Sequence, residues 1–167
     1  MSARALLLLL LTLAIGGCGY TLRGTLPAHI NTVSVPIFRN RTQEPAIESL
    51  ITRAVVEGFS TNGRLRVVGS EQADAVLDGE IIGYSVGSIA FDADANVRLY
   101  RLVVTVNLRL RDMRQKTVLF QQDGVREQAD FRVQNAVAQT ISREETALRA
   151  AAVDIGRAIV SLTVTRF

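Results

Sequence analysis

The groups able to do chemistry are few. A chain of 167 residues holds one cysteine, Cys18, and one histidine, His29. A Cys/His metal site needs three or four such ligands. A nucleophilic triad or a Cys–His pair would have to be built on His29. His29 follows Pro27 closely and reads as structural or solvated. No G-x-S-x-G, Walker, H-E-x-x-H or C-x-x-C pattern is present. Asp92 and Asp94 are two nearby carboxylates, but acid–base work needs a pocket that shifts their pKa values. Within FDADAN (Phe91–Asn96) they read as a turn. These absences point away from an enzyme and from a resident metal or cofactor. Basic groups, in contrast, are plentiful: there are nineteen, and all but Lys116 are arginine. Guanidinium groups suit bidentate contact with phosphate or carboxylate. Sixteen acids reduce the net charge to +3, which is too mild for a nucleic-acid-binding composition.

The cysteine has a context of its own. Arg4 precedes an apolar run from Ala5 to Ile15, with six leucines at Leu6–Leu11. That is the size of a signal-peptide core, well short of the roughly 20 residues that cross a bilayer. Gly16, Gly17 and then Cys18 follow. The pattern resembles the lipobox of bacterial lipoproteins, with Ile15 where Leu is commoner. The resemblance implies a signal peptide over 1–17. It also implies a diacylglycerol on the Cys18 sulfur and an acyl group on its nitrogen. Several chains anchor durably, because each buried CH₂ contributes about 0.8 kcal/mol. Gly19, where an Asp would favour inner-membrane retention, is compatible with the outer membrane. Removing 17 of 167 residues leaves 150 with a net charge of +2, enough for one core.

The full chain, hydrophobic at 48% and charged at 21%, reads as globular, and the part after the leader as one domain. Residues 18–30 form a tether and 31–167 the domain. Alternating Val33, Val35 and Ile37 predict a strand over Thr32–Phe38, with Pro36 marking an edge or irregularity. Pro45 is placed as a first helical residue, and Ile47, Leu50, Ile51, Ala54, Val55 and Phe59 continue at helical spacing to Asn62-Gly63. Leu65–Val68 is a short strand. Ala75–Val86 is a longer one whose apolar parity switches near Ile82–Gly83, as a bulge would produce. Tyr100, Leu102, Val104, Val106, Leu108 and Leu110 form one apolar strand face. Arg101, Arg109 and Arg111 lie on the other, either plain solvent-facing or a docking surface. Asp112–Lys116 is a turn and Thr117–Arg126 the return strand. Ser142–Glu145 fits a capping box before a second amphipathic helix through Leu148, Ala152, Ile155, Ile159 and Leu162. The expected fold is an α+β two-layer sandwich: a mixed, mostly antiparallel sheet of four to five strands with two helices on one face.

If successive elements run antiparallel, Arg98 and Arg132 approach each other at one end. Arg39, Arg41, Arg114 and Lys116 then gather at the other. Phe131, Tyr84 and Tyr100 read as core or interface residues rather than stacking platforms.

Four stretches in order resemble the LptE family of lipopolysaccharide-assembly outer-membrane lipoproteins. They are Cys18-Gly19-Tyr20-Thr21-Leu22-Arg23-Gly24, the strand and turn Val33–Thr42 (VSVPIFRNRT), the strand Tyr100–Leu110 (YRLVVTVNLRL), and the last helix with Ala147-Leu148, Asp154-Ile155 and Ile159–Leu162. The resemblance implies a lipid-anchored sandwich on the periplasmic side of the outer membrane. It also implies that the sandwich plugs the LptD β-barrel, helps it assemble, and assists lipopolysaccharide transport to the outer leaflet. Basic loop residues are then the expected lipopolysaccharide contacts: Arg98 and Arg132 first, Arg39 and Arg41 second. A polar, Arg-bearing sheet face suits a polar barrel lumen. The alternative is a periplasmic lipid- or peptide-binding lipoprotein without a barrel partner.

Overall fold

The computed structural model describes residues 26–91, 97–132 and 140–165. Cys18, Asp92 and Asp94 lie outside them, as do the side chains of Arg98 and of Thr140–Glu145. The elements are β1 (Thr32–Ser34), β2 (Arg39–Asn40), α1 (Ile47–Asn62), β3 (Arg66–Val67), a 3₁₀ turn (Ser70–Gln72), β4 (Ala75–Phe91), β5 (Val97–Asp112), β6 (Val118–Phe131) and α2 (Thr140–Thr165).

They build one open six-stranded sheet in the order β3-β1-β4-β5-β6, with β2 also paired to β4. β1 is parallel to β3 and to β4, and β2 is parallel to β4. The β4-β5-β6 meander is antiparallel. The sheet is thus mixed, with one strand more than the sequence count.

The expected strand Thr32–Phe38 is broken. β1 ends at Ser34 and β2 begins only at Arg39. Pro36 has no N–H to give a ladder, and the chain bends there. Phe38, not Ile37, therefore turns into the core: Phe38 is 2% exposed and Ile37 70%. Thr52 Oγ1 accepts the Phe38 N–H at 2.9 Å, holding the bend against α1.

α1 buries Ile47, Ile51, Ala54, Val55 and Phe59 along one stripe. It stops at Gly63 (φ +72°), whose N–H donates to the Phe59 carbonyl. Its start corrects the sequence reading. Ala46 is left-handed (φ 62°), and its carbonyl accepts the N–H groups of Ser49 and Leu50. Pro45 therefore sits in the preceding turn, not in the helix. α2 begins at Thr140, ahead of the expected cap at Ser142. It buries Ala151, Ala152, Ile155, Ile159, Val160 and Val164.

The inward face of β5 is as the alternation predicts: Leu102, Val104, Val106, Leu108 and Leu110 are all at most 1% exposed. The β4 register shifts between Ile81 and Gly83, the expected bulge, so that Ile81 and Tyr84 share the core side. β6 runs to Phe131, five residues beyond the expected end. Val125, Ala129 and Phe131 keep facing inward there, and polar residues between them hid the period.

Candidate functional site

The sheet has two ends and a middle, and each carries charge. At the turn end, β4 starts beside the end of β5, with Ala75 opposite Asp112. Asp74 accepts hydrogen bonds from the Asn31 and Thr32 N–H groups (3.1 Å each) and from Thr32 Oγ1 (2.8 Å). Arg114 Nη2 lies 3.2 Å from its other oxygen. The Asp112 side chain is fully buried. It accepts the Arg114 and Gln115 N–H groups at 2.7 and 2.8 Å, and His29 Nε2 at 2.6 Å. His29 thus pins the segment entering β1 onto the β5–β6 turn.

The hydrogen bond from the Thr32 hydroxyl, then that from the Asn31 N–H, hold the Asp74 carboxyl below its usual pKa against the opposing effect of burial. Burial raises the pKa of Asp112 most strongly as a single cause. The Gln115 N–H, His29 and the Arg114 N–H together outweigh it, and the net shift is downward. A depressed native pKa contributes stability that is complete above the unfolded value and is lost as pH falls through the native value. We therefore expect the urea midpoint to fall once pH drops below the reference value of 3.8. Asp74→Asn should flatten that fall. An unchanged acid limb in this variant would remove Asp74 from the account. Glu127 acts oppositely: burial raises its pKa, so it contributes less stability as pH rises.

The middle of the sheet carries Arg39 and Arg41. An antiparallel succession of elements predicts them beside Arg114 and Lys116, and the topology corrects this. β3 is only two residues long and its exit turns back, so β4 runs parallel to β1 instead of against it. Arg39 consequently pairs with Glu80, five residues into β4. Arg41 Nε is 2.9 Å from Glu80 Oε1. Around Arg39 the outer face forms a hollow of about 510 Å³ with Asp78, Glu80, Asn107, Arg109 and Arg111. Asp78 Oδ2 takes Arg111 Nε at 2.6 Å. Further along, Arg101 grips Asp130 through Nε and Nη2 at 2.7 and 2.9 Å. These cross-strand pairs keep the polar face ordered. Sequence reasoning missed them because the partners are 29 to 39 residues apart.

At the far end Tyr100 pairs with Phe131, and their rings stack with centroids 5.5 Å apart. Both belong to or pack on the core, as the sequence reading expects. Backbone positions 98 and 132 flank this pair at the same end of neighbouring strands. Arg132 is exposed. Position 98 lies nine residues from Asn107, or about 30 Å along the strand. The four candidate arginines are thus two separate groups: 98 and 132 at the tip, 39 and 41 in the middle.

The same hairpin has one edge that no described strand covers. From Ile82 to Phe91 no strand among the described residues pairs with the outer side of β4. These ten residues contain no charge and no proline. Ile82, Val86, Ile89 and Phe91 are 39–60% exposed. Edge strands normally carry charges or proline to block association. The uncharged run was visible in the sequence, but not that it would lie at an edge.

Among the described residues no cluster of three or more His, Cys, Asp or Glu could hold a metal ion. No described helix is long and apolar enough to cross a membrane. The family model for LptE, lipopolysaccharide-assembly, matches residues 30–163. The chain belongs to the LptE family. No curated protein sequence matches it. Its fold is similar to several solved structures. The hypothetical protein CT253 from Chlamydia trachomatis has TM-score 0.54 at 11% identity, over 80% of this chain and 95% of that one. The PelC dodecamer from Paraburkholderia phytofirmans has TM-score 0.52 at 17% identity, over 83% and 92%. A minor lipoprotein from Acinetobacter baumannii has TM-score 0.50 at 14% identity, over 82% and 95%. At such identities the likeness shows the fold. The LptE match covers the whole sheet and nearly all of both helices.

Proposed function

We propose that this LptE-family chain is an outer-membrane lipoprotein, anchored through lipid on Cys18, that plugs the LptD β-barrel and assists lipopolysaccharide transport. The geometric observation that carries the reading is the uncharged edge of β4 that no described strand covers. A sheet edge of ten uncharged residues needs a cover, which fits a protein that works inside a complex. The ordered polar outer face suits a water-filled lumen. The length of β5 suits it too: sixteen residues extend about 50 Å, against about 40–45 Å for a whole bilayer. A plug anchored at its turn end then brings positions 98 and 132 toward the outer leaflet.

The test is co-expression with the cognate barrel. Stable co-purification is the expected result, and a chain that emerges alone would sink the proposal. At the tip, Arg98→Glu with Arg132→Glu is expected to weaken lipopolysaccharide binding about tenfold. Each exposed guanidinium–phosphate contact contributes on the order of 1 kcal/mol or less. Circular dichroism should be unchanged. Undiminished binding would exclude the pair.

One observation favours a second reading, a periplasmic carrier of lipids or peptides. A groove of about 650 Å³ runs between the helices; Leu50, Leu148 and Val153 line it together with the charged Arg53, Glu57 and Arg149. Extraction of acyl chains by the protein without its barrel would favour this reading.

A further inference from the structure

We infer that the turn end of the sheet is a membrane-facing surface that lies against anionic phospholipid headgroups. The inference rests on the reading that Cys18 carries lipid. Three observations on the described chain point to it.

The first is where the chain enters. Ile30 is buried, His29 is bonded to Asp112, and Asn31 and Thr32 are bonded to Asp74. The chain is therefore fixed at the turn end from His29 onward. Seven residues lie between Cys18 and Leu26, and the eight steps from one to the other span at most about 28 Å. The opposite end of β5 is about 50 Å away and beyond that reach. An anchor at Cys18 can bring only the turn end to a lipid surface.

The second is charge. Lys116, Arg64 and Arg66 are exposed at this end: Lys116 at the turn itself, Arg66 opening β3 opposite Thr32, and Arg64 just before it, with Nη1 3.4 Å from the Val164 carbonyl. The acids here are occupied: Asp74 faces Arg114, and Asp112 is buried under His29. Among the described residues of this end Glu71, exposed on the 3₁₀ turn, is the remaining countercharge. The balance is cationic. A basic group near an anionic bilayer gains attraction that decays within a Debye length.

The third is the apolar content of the turn. Met113 and Val118 flank Lys116 and are 42% and 51% exposed. Apolar side chains beside a base match the headgroup boundary, where stems and methyl groups enter and the charge stays wet.

The experiment uses the full lipidated chain on phosphatidylcholine vesicles with and without phosphatidylglycerol. An environment-sensitive fluorophore is placed on Val118→Cys, on Met113→Cys as a second site, and on Arg132→Cys as the distal control. Nitroxide-bearing lipids should quench the probes at 118 and 113 and leave that at 132 bright. Phosphatidylglycerol should strengthen the quenching. In the unlipidated Cys18→Ala chain, Lys116→Glu with Arg66→Glu should lower partition onto phosphatidylglycerol vesicles about tenfold. Unquenched probes at 118 and 113 on protein that stays vesicle-bound would overturn the inference and leave the anchor intact. Shielding of these probes only when the barrel is present would assign the end to protein and overturn it as well. A native chain that does not remain on vesicles would refute the anchor, and the inference with it.

Discussion

Gly156→Ala is expected to destabilise the protein by about 2–3 kcal/mol, lowering the urea midpoint by roughly 1 M or more with an unchanged slope. Gly156 lies on α2 where it crosses α1. A Cβ there would overlap the carbonyl of Ala54 and lie 2.9 Å from the Val55 nitrogen. These are backbone atoms of a packed helix and cannot rotate away. The helices must separate, and separation loosens Ile51, Val55, Ile155 and Ile159, each at most 1% exposed. Alanine brings a helix-propensity gain of about 1 kcal/mol over glycine, which offsets only part of the overlap. Gly58, on the facing helix, supplies the contrast. Its Cβ would stand 3.1 Å from the Gly156 carbonyl and from a Val160 methyl group, close contacts short of overlap that a shift of a few tenths of an ångström relieves. Gly58→Ala should therefore change stability by less than about 1 kcal/mol. Equal midpoints for Gly156→Ala and the native protein would show that the helices do not touch backbone to backbone.

Phe38→Ala is expected to cost about 3–5 kcal/mol, and its loss should be coupled to Gly79. The Phe38 ring covers Gly79 so closely that a Cβ there would fall 2.5 Å from three ring atoms. The glycine is needed because the ring occupies the place of its side chain. Gly79→Ala in the native background should displace the ring and cost about 1–3 kcal/mol. In the Phe38→Ala background the same change meets an empty space, and its cost should fall by at least about 1 kcal/mol. Additive effects in this cycle would mean that the ring and the glycine do not compete for one volume. The prediction reaches function because Phe38 also fixes β2, and β2 carries Arg39 beside the polar hollow.

Both predictions concern glycines that look alike in the sequence. Gly79 sits in a strand pattern and Gly156 in a helix pattern. Nothing local distinguishes a glycine that admits another backbone from one that merely interrupts. The long-period features were more legible. The β5 alternation, the α1 and α2 stripes and the bulge after Ile81 follow from side-chain spacing, which burial enforces directly. Boundaries governed by a single residue were less so: Pro36 broke a strand, and a left-handed Ala46 displaced a helix start.

The candidate site divides in the same way. Arginine in place of lysine, the scarcity of cysteine and histidine and the lone cysteine behind an apolar run are facts of composition and order. The LptE resemblance rests on motifs in sequence, and the family match bears it out. Which arginines meet was decided by topology. A two-residue β3 and its returning turn make β4 parallel to β1, and this moves Arg39 and Arg41 from the turn end to the middle of the sheet. Sequence spacing could not reveal that, because strand direction depends on how a short connection packs. His29 illustrates the rest. The sequence offered a histidine near a proline, while the fold placed it 2.6 Å from a buried carboxylate 83 residues away. The sequence by itself determined which faces are apolar and which groups are present, since both follow from side-chain chemistry and local period. The tertiary structure decided which charges are paired, which edge no described strand covers and which end holds the segment entering β1, since those depend on contacts between distant segments.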